Sequence, residues 1–176
     1  MRSQTHIHIV QGDITRAATD AIVNAANPEM LGGGGVDGAI HAAAGPQLRR
    51  ACEQVKPVDG MRCPPGEARI TPGFDLSARW VIHTVGPRYG YDRNPDQLLR
   101  AAYNASLQLA VEHRCTSIAF PAISCGAYGF PPAEAAEIAL DVCSDGTWQE
   151  LAIYFYLFSE ELVTIWQQTL ARTQNS

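Results

Sequence analysis

Four consecutive glycines, Gly32-Gly33-Gly34-Gly35, lie between a short apolar segment, Ala21–Asn24, and an Ala-rich one, Gly38–Ala44. Ordering a glycine costs roughly 0.5–1 kcal/mol more than ordering an alanine. A plain connector does not need four of them. They suit a turn that leaves a buried strand, takes dihedrals closed to other residues, and lets a ligand approach the backbone. The helix that follows aims its unpaired N–H groups at the same place, so the segment reads as a phosphate cradle. Gly33-Gly34-Gly35-Val36-Asp37-Gly38 also fits G-x-G-x-x-G, but not as a dinucleotide fingerprint. Eight residues separate it from the strand, and that strand is the second. No acidic residue ends a strand about twenty positions later, since Glu53 falls in a helix.

Around this turn, strand and helix signals alternate. His6–Gln11 alternates apolar and polar residues, as a half-buried strand does. Ala21–Asn24, Arg69–Thr71, Trp80–Val85, Ser117–Ala122 and Leu151–Phe158 are the other expected strands, with Arg69–Thr71 the weakest. Helices are expected over Gly38–Ala44, ending at Gly45-Pro46, and over Gln47–Val55. Asn94-Pro95-Asp96-Gln97 reads as a capping box opening a helix to about Arg114, with Leu99, Ala102, Tyr103, Ser106 and Ala110 on one stripe. Pro132 opens another through Val142. Ser159-Glu160-Glu161 starts the last, its acidic first turn matched to the helix dipole. This order predicts a sheet covered by helices on both faces, with ligands bound beyond the carboxyl ends of its strands.

Two further segments leave expected strands. Ser124-Cys125-Gly126-Ala127-Tyr128-Gly129 follows strand 117–122 and precedes the helix at Pro132, a second glycine-rich turn able to present N–H groups. Tyr128 and Phe130 could cover a ribose or base. Two anion loops suit a diphosphate better than a single phosphate. Gln11-Gly12-Asp13-Ile14-Thr15 ends the first strand. It reads either as an ordinary capped turn or as a site where Asp13 accepts a hydrogen bond from an exocyclic amine.

Composition excludes several classes. The chain has 176 residues, 46% hydrophobic, which predicts a single domain over 1–176 with its core at about 5–170. Apolar runs fall far short of the ~20 residues that span a bilayer. The segment MRSQTHIHIV lacks the apolar stretch of a signal peptide. A net charge of -5 argues against general nucleic-acid binding or an anionic membrane surface. Lys56 is the only lysine beside twelve arginines and follows Val55, so there is no Walker-type phosphate loop. The five cysteines form no C-x-x-C pair and are expected as reduced thiols in a cytoplasmic protein. His6 and His8 alternate with Ile7 and Ile9 and are expected on a solvated strand face rather than on zinc.

Taken together, Gly12-Asp13-Ile14-Thr15, Ile22-Val23-Asn24-Ala25-Ala26-Asn27, Gly32 to His41, His83-Thr84-Val85-Gly86-Pro87 and Phe120-Pro121-Ala122-Ile123-Ser124 resemble a macrodomain. The resemblance is to the MacroD-type branch, in particular the bacterial O-acetyl-ADP-ribose deacetylases, and runs over about residues 5–170. It implies a three-layer α/β/α sandwich on a mixed, mostly parallel six-stranded sheet, and ADP-ribose as the ligand. By that resemblance Asp13 binds the adenine amine and the Ile14 N–H a ring nitrogen. Gly33 and Gly34 belong to the cradle. Backbone N–H groups of Gly35, Val36, Ser124, Cys125, Gly126, Ala127 and Tyr128 hold the diphosphate from two sides. Asn27 fixes the distal ribose, and Asp37 is the general base. His41 is expected to be a satisfied structural histidine.

Cys125 departs from the Thr common at that position, and beside a helix start its thiol pKa would be expected to fall. Asp141–Glu150 is shorter than in close relatives and should be a trimmed connection. The expected substrates are O-acetyl-ADP-ribose and ADP-ribose esterified to protein Asp or Glu. The expected partners are thus ADP-ribose, its esters and ADP-ribosylated proteins. No metal or organic cofactor is implied. The competing classes are a non-catalytic ADP-ribose reader, which would not need Asn27 together with Asp37, and a thiol hydrolase using Cys125, for which no histidine lies close in sequence.

Overall fold

The computed structural model describes residues 4–174. Strands β1 (Ile7–Gln11), β2 (Ala21–Ala25), β3 (Ala68–Pro72), β4 (Trp80–Thr84), β5 (Ser117–Phe120) and β6 (Ala152–Leu157) form one sheet in the order β1-β6-β5-β2-β4-β3. Neighbours run parallel, except that edge strand β3 is antiparallel to β4. This is the expected mixed, mostly parallel sheet.

The helices are α1 (Gly35–Ala44), α2 (Pro46–Glu53), α3 (Pro95–Glu112), α4 (Pro132–Cys143) and α5 (Glu160–Gln174). Strand alternation assigns them to two layers. On β2, Ala21 and Val23 join the apolar core that contains Leu99, Tyr103, Ala136 and Trp166 of α3, α4 and α5. Ile22, between them, joins Ile40, Leu48 and Cys52 of α1 and α2 on the other face. A slip of one residue would exchange the two sets. Fully burying an aliphatic side chain stabilises by about 1.5–3 kcal/mol, so the register is strongly fixed. The stripe Leu99, Ala102, Tyr103, Ser106 and Ala110 is buried as expected.

Three local readings are corrected. Helix α1 starts at Gly35, three residues before the expected Gly38, so Val36 and Asp37 lie in its first turn. The capping box does not form: Asn94 is left-handed (φ 53°, ψ 53°) and makes no side-chain cap. A capping side chain needs an extended backbone, and here Pro95 alone starts the helix. His6 is not on a solvated face. It lies just outside β1, is buried, and its Nε2 is 2.8 Å from the Cys143 carbonyl oxygen. His8 is exposed and stacks on Tyr154. The 141–150 connection closes with a single 3-10 turn, Gly146–Trp148, capped by Asp145.

The topology also fixes where a ligand can bind. Neighbouring strands β2 and β5 are parallel, but β2 leads into α1 on one face and β5 leads towards α4 on the other. Two connections that part in this way leave a crevice at the carboxyl ends of their strands.

Candidate active site

The crevice is a cleft of about 980 Å³. Every site residue expected from sequence lines it, from Asp13, Ile14 and Asn27 through Gly33–Asp37 to Ser124–Tyr128.

Its first wall is the glycine turn. Gly32 and Gly35 take positive φ, 96° and 57°, where any side chain would be strained. Gly35 and Val36 occupy the first two positions of α1, whose N–H groups have no intrahelical acceptor. Both residues line the cleft, at the positive end of the helix dipole.

The second wall is built differently. Prolines occupy both the cap and first position of α4, and proline carries no N–H, so the donors come from the loop and not from the helix end. Gly126, Ala127 and Tyr128 have no backbone acceptor for their N–H groups among the described residues, whereas Cys125 N–H donates to the Ala122 carbonyl at 3.2 Å. Ser124 is buried in a left-handed conformation (φ 67°), and its hydroxyl donates to the Pro87 carbonyl at 2.8 Å. The expected fall in the Cys125 pKa is overturned: burial pushes the thiol up to about 12. It stays protonated at neutral pH, which removes the thiolate a cysteine hydrolase needs.

Between the walls sits Asp37, 4% exposed. Its Oδ1 accepts a hydrogen bond from Asn24 Nδ2 at 2.8 Å, and His41 Nε2 lies 3.5 Å from the same oxygen. Its Oδ2 faces the glycine turn. A methyl group on Gly33 would stand 3.2 Å from that oxygen and 3.4 Å from Asn27 Nδ2, so both atoms converge on the bare glycine. Asn27 is itself braced, its Nδ2 donating to the Gly32 carbonyl at 3.2 Å and its Oδ1 accepting from Met30 N–H at 3.1 Å. Burial raises the Asp37 pKa, against lowering by the Asn24 hydrogen bond and by His41. A carboxylate so placed is more basic than an exposed one. The expectation of a satisfied His41 is not met: its Nε2 is buried without a hydrogen bond among the described residues, 3.5 Å from Asp37 Oδ1.

At the far end, Asp13 is both cap and lining residue. Its Oδ1 accepts from Thr15 N–H at 3.0 Å and from Thr15 Oγ at 2.7 Å, bonds that hold its pKa below the ordinary carboxylate value. Parallel pairing places Gln11 opposite Leu157, which sets Asp13 and Phe158 at adjacent strand ends. Phe158 lines the cleft while 76% exposed. Sequence reasoning missed it by absorbing it into the strand. The readable signal was an aromatic residue immediately past the carboxyl end of a parallel strand. Gln11 and Gly86, quoted within motifs but given no role, also line the cleft, as do Tyr156 and Leu162, which were not singled out. Among the described residues no group of three or more His, Cys, Asp or Glu is placed to hold a metal ion.

Cleft position, two walls with unpaired N–H groups and a raised carboxylate define a class: an α/β/α protein with a donor-lined crevice at the carboxyl ends of its central strands. Comparison with known proteins identifies the family. The Macro domain family model matches residues 23–139, and the chain belongs to the macrodomain family. It is 59% identical to a macro domain-containing protein of Vibrio parahaemolyticus over 94% of this chain and 98% of that one. It is 50% identical to the O-acetyl-ADP-ribose deacetylase of Escherichia coli K12 over 96% and 97% of the two chains. The structure of the Oceanobacillus iheyensis macrodomain with ADP superposes with a TM-score of 0.90 at 44% identity, covering 95% of this chain and 90% of that one. The Trypanosoma brucei macrodomain in complex with ADP-ribose gives 0.81 at 39% identity, covering 93% and 68%.

Proposed function

We propose that the chain is an ADP-ribose-binding hydrolase. It deacetylates O-acetyl-ADP-ribose, removes mono-ADP-ribose from acidic side chains of proteins, or both. The observation that carries this reading is the convergence of Asp37 Oδ2 and Asn27 Nδ2 on Gly33 at the inner end of a cleft with a donor-rich wall on each side. A reader module needs the walls but not a buried carboxylate with an uncommitted oxygen. The relatives named O-acetyl-ADP-ribose deacetylase, alike over nearly their full length, support the hydrolase.

In this reading the N–H groups of Gly35, Val36, Gly126, Ala127 and Tyr128 bind the diphosphate. Asp13 accepts from the adenine amine, Ile14 N–H meets a ring nitrogen, and Phe158 packs against the base. Asn27 fixes the distal ribose. Binding energy spent along the cleft thus positions the ester over Asp37. Asp37 Oδ2 takes a proton from water as the water oxygen bonds to the ester carbonyl carbon. The carbon–oxygen bond to ribose then breaks, the ribose oxygen recovers the proton, and acetate or a protein carboxylate leaves. The five cysteines, all unpaired, suit a reducing cytoplasm. Among the described residues no helix is long and apolar enough to cross a membrane.

The test is a product assay by mass spectrometry on O-acetyl-ADP-ribose and on a Glu-linked ADP-ribosylated protein. Release of acetate or of free ADP-ribose is expected from at least one. Tight ADP-ribose binding with no product from either would replace the hydrolase by a reader.

A further inference from the structure

Asn24 and His83 belong to the sequence motifs but have no task in the mechanism above. β2 and β4 pair with Asn24 directly opposite His83, and both residues are completely buried. Asn24 Nδ2 donates to Asp37 Oδ1 at 2.8 Å and lies 3.2 Å from His83 Nδ1. An amide nitrogen only donates, so His83 Nδ1 must accept. Burial holds this imidazole neutral. Its single proton is therefore on Nε2, which lies 2.9 Å from Thr71 Oγ1 on edge strand β3 and donates to it. Cys52 Sγ, from α2, closes the same side at 3.8 Å.

The result is a buried chain across three strands, ending on the carboxylate. Asn24 Oδ1 has no hydrogen-bond partner among the described residues. A residue present only to fill the space would not strand a buried acceptor. Turning the amide over would set its oxygen 2.8 Å from Asp37 Oδ1, two acceptors with no proton between them once the carboxylate is ionised. We propose that Asn24 is a positioning residue for Asp37, oriented in turn by the Nε2–H tautomer of His83 on Thr71. This chain pins Oδ1 and leaves Oδ2 as the oxygen that takes a proton from water.

The proposal rests on Asp37 being the general base, but its geometry can be read without turnover. The titratable groups facing Asp37 are His41 on its own helix, Cys52 on α2, His83 on β4 and Tyr128 of the second wall. Among the described residues, the polar partners of its carboxylate are Asn24 and His41.

The test begins with the ¹⁵N chemical shifts of His83 in the full-length protein, expected to show a bare Nδ1 and a protonated Nε2. The carboxyl ¹³C shift of Asp37 is then titrated in wild type, Asn24→Leu, His83→Leu and His83→Asn. The last keeps an acceptor where Nδ1 stood. Loss of the Asn24 donor should raise the Asp37 midpoint by about 0.5–1 pH unit. His83→Leu should move it in the same direction, and His83→Asn should restore it. Turnover of O-acetyl-ADP-ribose should fall about 10–100-fold in Asn24→Leu, its rising pH limb displaced upward, with the ADP-ribose dissociation constant within about threefold of wild type. A merely structural residue would lower stability without moving that limb. A protonated Nδ1, an unmoved Asp37 midpoint in the leucine variants, or His83→Asn no better than His83→Leu would each overturn the chain. If Asn24→Leu does not fold, the two His83 variants and the wild-type tautomer decide it. Should wild type hydrolyse neither substrate, the functional reading fails while tautomer and titration still decide the positioning.

Discussion

Burial pushes the Asp37 carboxyl up from its ordinary range, against the pull of Asn24 and His41. The sign has two consequences. At low pH Asp37 is neutral in both the folded and the unfolded chain and costs nothing. As pH rises, the unfolded chain ionises first, so the folded state loses stability until Asp37 ionises within it. Asp37→Asn should therefore unfold at a higher temperature than wild type at neutral pH, with the gain vanishing in acid. Its turnover should fall about 10²–10⁴-fold, the range for a lost general base. Calorimetric melting and kcat on the same preparations check both. Gly33→Ala is the complementary probe, because its methyl group would enter the gap between Asp37 Oδ2 and Asn27 Nδ2. Turnover should fall by about 10²-fold, the order expected for a 1 Å misplacement, while ADP-ribose affinity changes much less. Equal losses of kcat and affinity would show that the gap holds ligand and not water. Asp37 and Asn27 were legible in the sequence through the family resemblance of the motifs that hold them. The Asn24–His83 contact was not, since 59 positions separate the two and only strand register brings them together.

At the scale of elements, the two walls use the same chemical group from different sources. α1 contributes helix-end N–H groups, whereas Pro131 and Pro132 silence the end of α4 and leave the work to the loop. A cradle made of peptide N–H groups depends little on the side chains it carries. Cys125→Thr should leave turnover within a few-fold of wild type. Abolished activity in that variant, measured under reducing conditions, would show that this wall depends on the side chain at 125. In the proposed binding mode the adenine end depends on side chains from two adjacent strand ends. Phe158→Ala and Asp13→Ala should each weaken ADP-ribose by about 5–30-fold in calorimetry, the range of 1–2 kcal/mol. Neither should change affinity for ribose 5-phosphate, which lacks the base. Strands and helices were readable to within a few residues because apolar period and proline placement are local signals. The misread cap at Asn94 shows the limit. Its residue types fit a capping box, but the cap depends on a backbone angle set by the preceding turn.

Across the whole molecule, the buried histidine ties stability to pH. Burial, with help from His41, pushes the His83 pKa down to about 3. Above pH 6.5 both the folded and the unfolded chain keep it neutral. Below that value the unfolded chain takes up a proton the folded one refuses, so His83 withdraws up to about 1.4 kcal/mol per pH unit until its folded pKa is reached. Denaturant midpoints at about pH 7.5 and about pH 4.5 should converge in His83→Asn relative to wild type. The fold class itself was legible, since alternating elements admit few arrangements. The strand order was not, because it is set by packing between segments far apart in sequence.

The glycine turn is rooted in the helix layer on one face of the sheet and the Ser124–Tyr128 loop in the layer on the other. A ligand holding both walls therefore works as a cross-brace, and openings that part the layers must first release it. At ligand near 100 times its dissociation constant, such openings become about 2.7 kcal/mol dearer. Amide hydrogen exchange should slow accordingly, by up to about 100-fold. Protection should extend beyond the loops into β2 and β5, where the layers share their central strands, and should leave the distant edge strand β3 nearly unchanged.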